Sequence, residues 1–593
     1  MTARRGSRML RGLIAAAAVA TLGVAGASGA TGAVQPSTFD LTILGTSDTH
    51  GNVRNWDYFR DAEFDDSKHN DVGLAKAATL VNQIRGQRGK GHTIVLDAGD
   101  TIQGTPLAYY YAKQEPITTT GETHPMARAM NLIHYDAVTI GNHEFNYGLP
   151  MLQTWAGQLD FPALAANAVD ATTGQPAFKP YFIKTLPVDS GRPVRVGILG
   201  LTNPGVAIWD KANVEGRLRF DGMVETAQKW VPVMKAKGAD VVVVSAHGGD
   251  SGLSSYGPEL PVENAAALVA QKVAGVDAVL FGHAHNDVPQ KFVTNELTGE
   301  KVLLSEPSKW GQRLTDMQLH LVRSGDSWRV ESSKATTHNT NTVDEDRTIV
   351  DAVADQHAKT VAYVNQVVAT STEELSAAES RYKDTPILDY INKVQTDTVS
   401  TALAGGPYGT LPVLSIAAPF SRTAVFPKGD VKIKDVAGLY IYDNTLEAVV
   451  MTGAEVRAYL EYSAKYFKTF GVDDPVDPAA IEDPAVPDYN YDTLSGVDYD
   501  IDISKPVGQR ITSLTYAGTT TPVADDQQFV VAVNNYRRSG GGNFPGITKP
   551  QIYNEQKEIR QLLIDWAQAR GVIDPKDFYD ANWRLVREGK PVF

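Results

Sequence analysis

Five short aliphatic runs constrain this chain more than any other feature. They are Leu41–Gly45 (LTILG), Thr93–Asp97 (TIVLD), Ala137–Ile140 (AVTI), Val241–Ser245 (VVVVS) and Ala278–Phe281 (AVLF). Runs this apolar, with no polar alternation, fit strands buried on both faces of a helix-covered sheet. From about Thr38 to about Val343 they alternate with amphipathic stretches such as Val72–Arg88 and Val224–Lys237, which predicts a layered α/β domain. At 593 residues the chain is too long for one core. Between Asp344 and about Thr370, Ile349, Val350, Val353, Ala354 and Val361 recur at helical spacing, so a connecting helix is expected over 344–370. Residues 371–593 carry their own apolar runs (Gln528–Val533, Leu439–Tyr442), a helical stretch at Gln556–Arg570 and an acidic, proline-rich loop at Gly471–Asp488. A second domain of mixed α+β type is expected there.

Each aliphatic run leads into a polar segment. In order these are Ser47-Asp48-Thr49-His50-Gly51, Asp97-Ala98-Gly99-Asp100, Gly141-Asn142-His143-Glu144, Ala246-His247-Gly248-Gly249 and Gly282-His283-Ala284-His285. In open α/β sheets, ligands gather at the carboxyl ends of strands. Imidazole, carboxylate and carboxamide groups are nitrogen and oxygen donors for divalent transition metals. Asp48 and His50 lie two apart, so both can face one ion. Gly99 permits a tight turn before Asp100, whose two carboxylate oxygens suit a bridge between two ions. Taken alone, each has a bland reading: an isolated GD or GNH is usually a turn, and a lone histidine after a strand is more often hydrogen-bonded than metal-bound. Together they hold five of the twelve histidines, and that concentration points to a dinuclear site. Such a site can clamp a phosphoryl group and ionise a water.

DTH, GD, GNHE, a later His-Gly and GHAH in this order resemble the calcineurin-like metallophosphoesterases, in particular their exported two-domain nucleotidases. The resemblance spans almost all of the chain after residue 33. It implies a four-layer α/β/β/α metallophosphoesterase domain over 38–343 and a 5′-nucleotidase-type substrate-binding domain over 371–593. It further implies one metal on Asp48, His50, Asp100 and His285 and a second on Asp100, Asn142, His247 and His283. The two ions are divalent, from among Mn, Zn, Fe and Co. His143 matches the family's catalytic histidine, which with Asn142 stabilises the phosphoryl transition state. One position departs from the 5′-nucleotidase branch. Three residues after that histidine the branch has an aspartate, and this chain has Asn146. Gly141-Asn142-His143-Glu144-Phe145-Asn146-Tyr147-Gly148 is instead similar to the 2′,3′-cyclic-nucleotide 2′-phosphodiesterase/3′-nucleotidase branch.

Two segments of the second domain carry the same resemblance. Leu439-Tyr440-Ile441-Tyr442-Asp443-Asn444 reads as a strand running into a turn, and Tyr536 directly precedes the glycine-rich Ser539–Gly546. In the family, aromatics matching Tyr442 and Tyr536 sandwich the base; Tyr440 reads as core. Asn444 and Arg422 are further candidates for substrate contact. The glycine-rich loop lacks the GK[ST] ending of a nucleoside-triphosphate cradle.

The first residues read as a secretory signal over 1–33. Arg4, Arg5, Arg8 and Arg11 precede an alanine-rich apolar run and then small residues. No later stretch approaches the length of a membrane-spanning helix, and with no cysteine neither a disulfide nor a lipidated anchor is available. A secreted or periplasmic monomer is expected. The formal net charge is −14, which argues against long nucleic acids, whose binding is dominated by Lys/Arg neutralisation of phosphates. Small nucleotides remain, since bound cations reverse the local potential. The rival expectations are a 5′-nucleotidase or nucleotide-sugar hydrolase on the same scaffold, and a non-catalytic nucleotide-binding protein.

Overall fold

The computed structural model describes residues 37–189 and 191–593; the expected signal over 1–33 lies outside the described residues. The five aliphatic runs are strands, Thr38–Thr46, Thr93–Asp97, Ala137–Thr139, Val241–Ala246 and Ala278–Phe281, and every residue of the last four is buried. They divide between two six-stranded sheets. In the first, Thr38–Thr46 lies parallel to Thr93–Asp97, which lies parallel to Ala137–Thr139. In the second, Val241–Ala246 runs parallel to both Val194–Leu201 and Ala278–Phe281.

The two sheets share one core. Leu41, Ile43, Ile94 and Leu96 from the first meet Val196, Ile198, Val241, Val243 and Leu280 from the second. On the outer face of the first sheet, Leu44, Val95 and Val138 pack with the helices Leu74–Arg88 and Pro125–Ile133. On the outer face of the second, Val242, Val244 and Val279 pack with Met223–Ala236 and Ala266–Lys272. This is the α/β/β/α order. It explains why the strands lack polar alternation: each has a hydrophobic layer on both sides.

The connecting region departs from the single helix expected over 344–370. It is two helices, Arg347–Ala352 and Ala354–Val364, parted at Val353, whose φ of −108° and ψ of 9° leave the helical range. Val367–Ser371 is already a strand of a second architecture, paired with Gly429–Lys432 and Val572–Ile573. That architecture centres on a five-stranded sheet ordered Thr493–Ser495, Val413–Ala417, Gln528–Asn534, Thr445–Thr452, Tyr553–Glu558. Pro386–Leu403 and Ile559–Arg570 contribute to one of its cores and Gly453–Ser463 to the other.

Two further elements differ from their reading in the sequence. Leu439 ends a helix, Ile433–Leu439, and Tyr440–Asn444 is a loop rather than a strand. The carbonyls of Tyr440 and Ile441 accept hydrogen bonds from the Arg560 guanidinium at 2.9 and 2.6 Å, so no neighbouring strand is needed to satisfy them. The C-terminal helix begins at Ile559 rather than Gln556, because residues through Glu558 pair with Thr445–Thr452. Among the described residues, no helix is long and apolar enough to cross a membrane.

Candidate metal centre and substrate cavity

The polar segments lie at the carboxyl ends of adjacent parallel strands, so the two sheets deliver their side chains to one place. Two groups form. Asp48, His50 and His285 each offer a donor atom within 4.8 Å of the others, and so do Asp100, His247 and His283. Asp100 lies between them, with Oδ2 2.9 Å from His247 Nε2 and 3.9 Å from His50 Nε2. Asn142 Oδ1 stands 3.0 Å from His247 Nε2. The seven candidate ligands thus converge from both sheets.

Their backbone is strained to do so. Five of the seven have positive φ: Asp48 (51°), His50 (46°), Asp100 (59°), His283 (78°) and His285 (60°). Non-glycine residues rarely adopt this region, at a cost of roughly 1–3 kcal/mol each, and such strain clusters where function over-determines geometry. Glycines make room beside them. A Cβ on Gly99, at φ 105°, would stand 2.7 Å from the Gly141 nitrogen and 2.9 Å from His247 Nδ1.

Outer contacts aim the rings inward. His50 Nδ1 is 3.0 Å from the Gln103 carbonyl and His247 Nδ1 is 2.8 Å from that of Ala98, so Nε2 of each is free to face the centre. His283 is held the other way round, with Nε2 2.8 Å from Glu263 Oε1, and offers Nδ1. His50 and His285 bring their Nε2 atoms within 3.2 Å, a spacing that suits convergence on a cation. Glu144 is fully buried and serves the frame. Its carboxylate accepts from the backbone N–H groups of Asp100 (2.9 Å), Gly141 (2.6 Å), Ile102 (3.3 Å) and Thr101, fixing the Asp100 turn against the Asn142 segment.

The electrostatics match this donor set. Burial works against ionisation of Asp48 and Asp100, yet His285 and His247 respectively hold them below the usual carboxylate range. Burial pushes His50 down to about 3, leaving it neutral and ready to coordinate. Burial also opposes charge on His247, but Asp100 pushes it up to about 10, so a cation must displace its proton. Ionised carboxylates and imidazoles of intermediate softness fit two divalent first-row ions.

His143 lies beside the two groups, its ring 5.2 Å from that of His50 and edge-on to it. Its Nδ1 is 2.7 Å from Asn146 Oδ1, and Asn146 Nδ2 donates to Asp210 Oδ1 at 2.9 Å. Burial opposes charge on His143, but Asp100, Asn146 and Asp210 outweigh it and raise its pKa. Burial pushes Asp210 up to about 6.

A cavity of about 620 Å³ opens from this point towards the second architecture. Asn142, His143 and His283 line it together with Tyr442, Asn444 and Tyr536. Arg422 is not among its lining residues. It is exposed and paired with Asp488. Tyr440 is buried in the core. The cavity also brings in residues that no sequence spacing marked. Phe420 stands edge-on to Tyr442 at 4.9 Å, and Trp209 stacks on His283 at 5.6 Å and 23°. Asp443 joins the two architectures. Its Oδ2 accepts from Gln103 Nε2 and the Tyr147 hydroxyl, both at 2.7 Å, and its Oδ1 lies 2.6 Å from Arg560 Nη1.

A four-layer sandwich with carboxylates and imidazoles converging at the carboxyl edges of both sheets defines a metallophosphoesterase. Comparison with known proteins agrees. Residues 41–287 match the calcineurin-like phosphoesterase family and residues 367–549 match the 5′-nucleotidase C-terminal domain. A 2′,3′-cyclic-nucleotide 2′-phosphodiesterase/3′-nucleotidase from Yersinia enterocolitica is 33% identical over 93% of this chain and 89% of its own length. The trifunctional nucleotide phosphoesterase protein YfkN of Bacillus subtilis is 35% identical over 92% of this chain, which spans 39% of that longer relative. A solved Staphylococcus aureus structure, provisionally assigned as a 5′-nucleotidase, superposes with a TM-score of 0.73 at 25% identity, covering 92% of this chain and 99% of that one. The chain therefore belongs to the calcineurin-like phosphoesterases that carry a 5′-nucleotidase C-terminal domain, a family of enzymes that use divalent metal ions.

Proposed function

We propose that this chain hydrolyses nucleotide phosphoesters, opening 2′,3′-cyclic nucleotides to 3′-nucleotides and dephosphorylating these to nucleosides. The observation that carries this reading is that one cavity is lined both by the candidate metal ligands Asn142 and His283 and by Tyr442 and Tyr536. A nucleotide whose phosphoester meets the metal ligands in this cavity can place its base against these aromatic rings, and base–aromatic stacking is worth ~1–3 kcal/mol per base.

In this reading Asp48, His50, Asp100 and His285 would hold one divalent ion, and Asp100, Asn142, His247 and His283 the other. Such a pair supplies Lewis acidity towards phosphoryl oxygens and lowers the pKa of a bound water. Asp100 fixes the spacing between the two halves of the donor set. His143 directs Nε2 at the reacting phosphate, stabilises charge there and hands a proton to the departing oxygen. In the first step water adds to phosphorus and the P–O2′ bond breaks, leaving a 3′-monophosphate. In the second, water adds again and the P–O3′ bond breaks, releasing phosphate and nucleoside. Both steps expel an alkoxide, so one constellation serves both.

Two features favour the cyclic and 3′-nucleotide branch over 5′-nucleotides: Asn146 three residues after His143, and full-length similarity to proteins named for the double activity. The N-terminal sequence supports export to the periplasm or medium, checked by following the chain in cell fractions. The function is tested by a substrate panel of 2′,3′-cyclic AMP, 3′-AMP, 5′-AMP and a nucleotide sugar, after chelation and re-addition of Mn, Zn, Fe or Co. Highest kcat/KM on the first two is expected. Preference for 5′-AMP would overturn the reading.

A further inference from the structure

Asn146 poses a question that the tertiary structure answers. A carboxylate beside a catalytic imidazole both orients it and favours its charged form, whereas a neutral amide supplies no charge and can present either its oxygen or its NH2. Here the ambiguity is removed by a residue 64 positions further along. Asp210, between the short helices Val206–Trp209 and Lys211–Val214, accepts from Asn146 Nδ2 at 2.9 Å. An ionised carboxylate only accepts, so the NH2 must face it and Oδ1 must face His143. Oδ1 in turn only accepts, so the 2.7 Å contact requires the proton on His143 Nδ1 and leaves Nε2 for the reacting group. Asn213 clamps the same segment from behind, donating to the Phe145 and Asn146 carbonyls at 3.0 and 3.3 Å.

Asp210 lies on the wall of the same cavity, beside Asn146. It is 5% exposed, Asn146 is its hydrogen-bond partner, and its Oδ2 is buried without one among the described residues. No Lys or Arg pairs with it there; the adjacent Lys211 reaches Glu215 instead. A buried carboxylate supported only by the neutral amides of Asn146 and Asn213 is a net cost to folding, and such groups call for a functional explanation.

We infer that Asp210 is a positioning residue that acts through Asn146, fixing the amide so that His143 keeps its proton on Nδ1 and its Nε2 towards the substrate. The inference rests on the proposed role of His143. The amide passes orientation on fully but charge only in part. Nδ1–H stays on Asn146 throughout: the imidazolium, protonated at both nitrogens, gives its Nε2 proton to the leaving oxygen and is left as the Nδ1–H tautomer.

The test is a double-mutant cycle with a leaving-group readout. In the metal-loaded enzyme, Asp210→Asn should lower kcat on 3′-AMP about tenfold or more, within the range of general acid–base catalysis, with KM within about twofold. Turnover of p-nitrophenyl phosphate, whose leaving group needs no proton, should fall less than about threefold. The melting temperature should hold or rise, since a buried charge has been removed. Asn146→Asp alone should be impaired, because two carboxylates then abut. Asn146→Asp with Asp210→Asn should recover most of the activity, the new carboxylate taking the His143 proton and the new amide donating to it. His143→Ala separates the two levels of the argument. If it leaves nucleotide turnover intact, the role of His143 itself fails. If it abolishes turnover while Asp210→Asn does not alter it, only the relay fails. A lowered melting temperature with equal loss on both substrates, or a double variant no better than Asn146→Asp, would also overturn the relay.

Discussion

Glu144→Gln probes the frame of the centre with almost no change in shape. In the native protein Oε2 accepts from the Asp100 and Gly141 N–H groups and Oε1 from those of Thr101 and Ile102. Glutamine keeps one oxygen. Whichever way its amide turns, two backbone donors face an NH2 group. Hydrogen bonds to a charged group contribute ~1.5–3 kcal/mol each, so two of them represent ~3–6 kcal/mol. Part is returned, because burial and the neighbouring Asp100 already disfavour the carboxylate, raising its pKa. A net loss of about 2–4 kcal/mol remains. It falls on the turn that presents Asp100, the side chain between the two donor groups, so metal retention should fall with it. Urea unfolding of the metal-free protein gives the stability change, and elemental analysis after dialysis gives the metal content. A variant within about 0.5 kcal/mol of wild type that keeps both ions would refute the view that Glu144 holds the centre together.

Tyr536→Ala should raise KM for 3′-AMP about 5- to 150-fold, the equivalent of ~1–3 kcal/mol of stacking, while p-nitrophenyl phosphate, which lacks a base, is turned over as before; equal losses on both would remove Tyr536 from base recognition. A pH effect is expected far from the centre. Burial pushes Asp389 up to about 7, and burial with the neighbouring Asp389 pushes Asp384 up to about 8. The unfolded chain loses these protons near pH 4, so across pH 4–8 the folded state binds more protons and stability falls as pH rises. Asp389→Asn should flatten that slope and raise the melting temperature at pH 8 but not at pH 4.5, measured by calorimetry; an unchanged slope would sink the assignment.

Much of the centre was legible because its chemistry is local. Asp48 and His50, or His283 and His285, are two residues apart on one strand-to-loop turn, and the strand before each turn announces itself by its aliphatic run. The connections around the base end were not. Leu439–Tyr442 looks like a strand, since Leu, Tyr and Ile suit one, but Arg560 takes the Tyr440 and Ile441 carbonyls from about 120 residues away. Arg422, a candidate for substrate contact, pairs with Asp488 and does not line the cavity, a placement that its neighbours in the sequence do not reveal.

What the sequence by itself determined is the kind of donors, their order and the sheets that carry them, because ligand type and strand periodicity are properties of adjacent residues. What only the tertiary structure decided is how distant segments complete those donors. Glu144 ties two strand ends together, and Asp443 joins the centre to the base end. Asp210 fixes an amide whose two faces the sequence cannot tell apart. Each depends on a hydrogen bond between residues tens to hundreds of positions apart, and a hydrogen bond obeys distance and angle in space, not spacing along the chain.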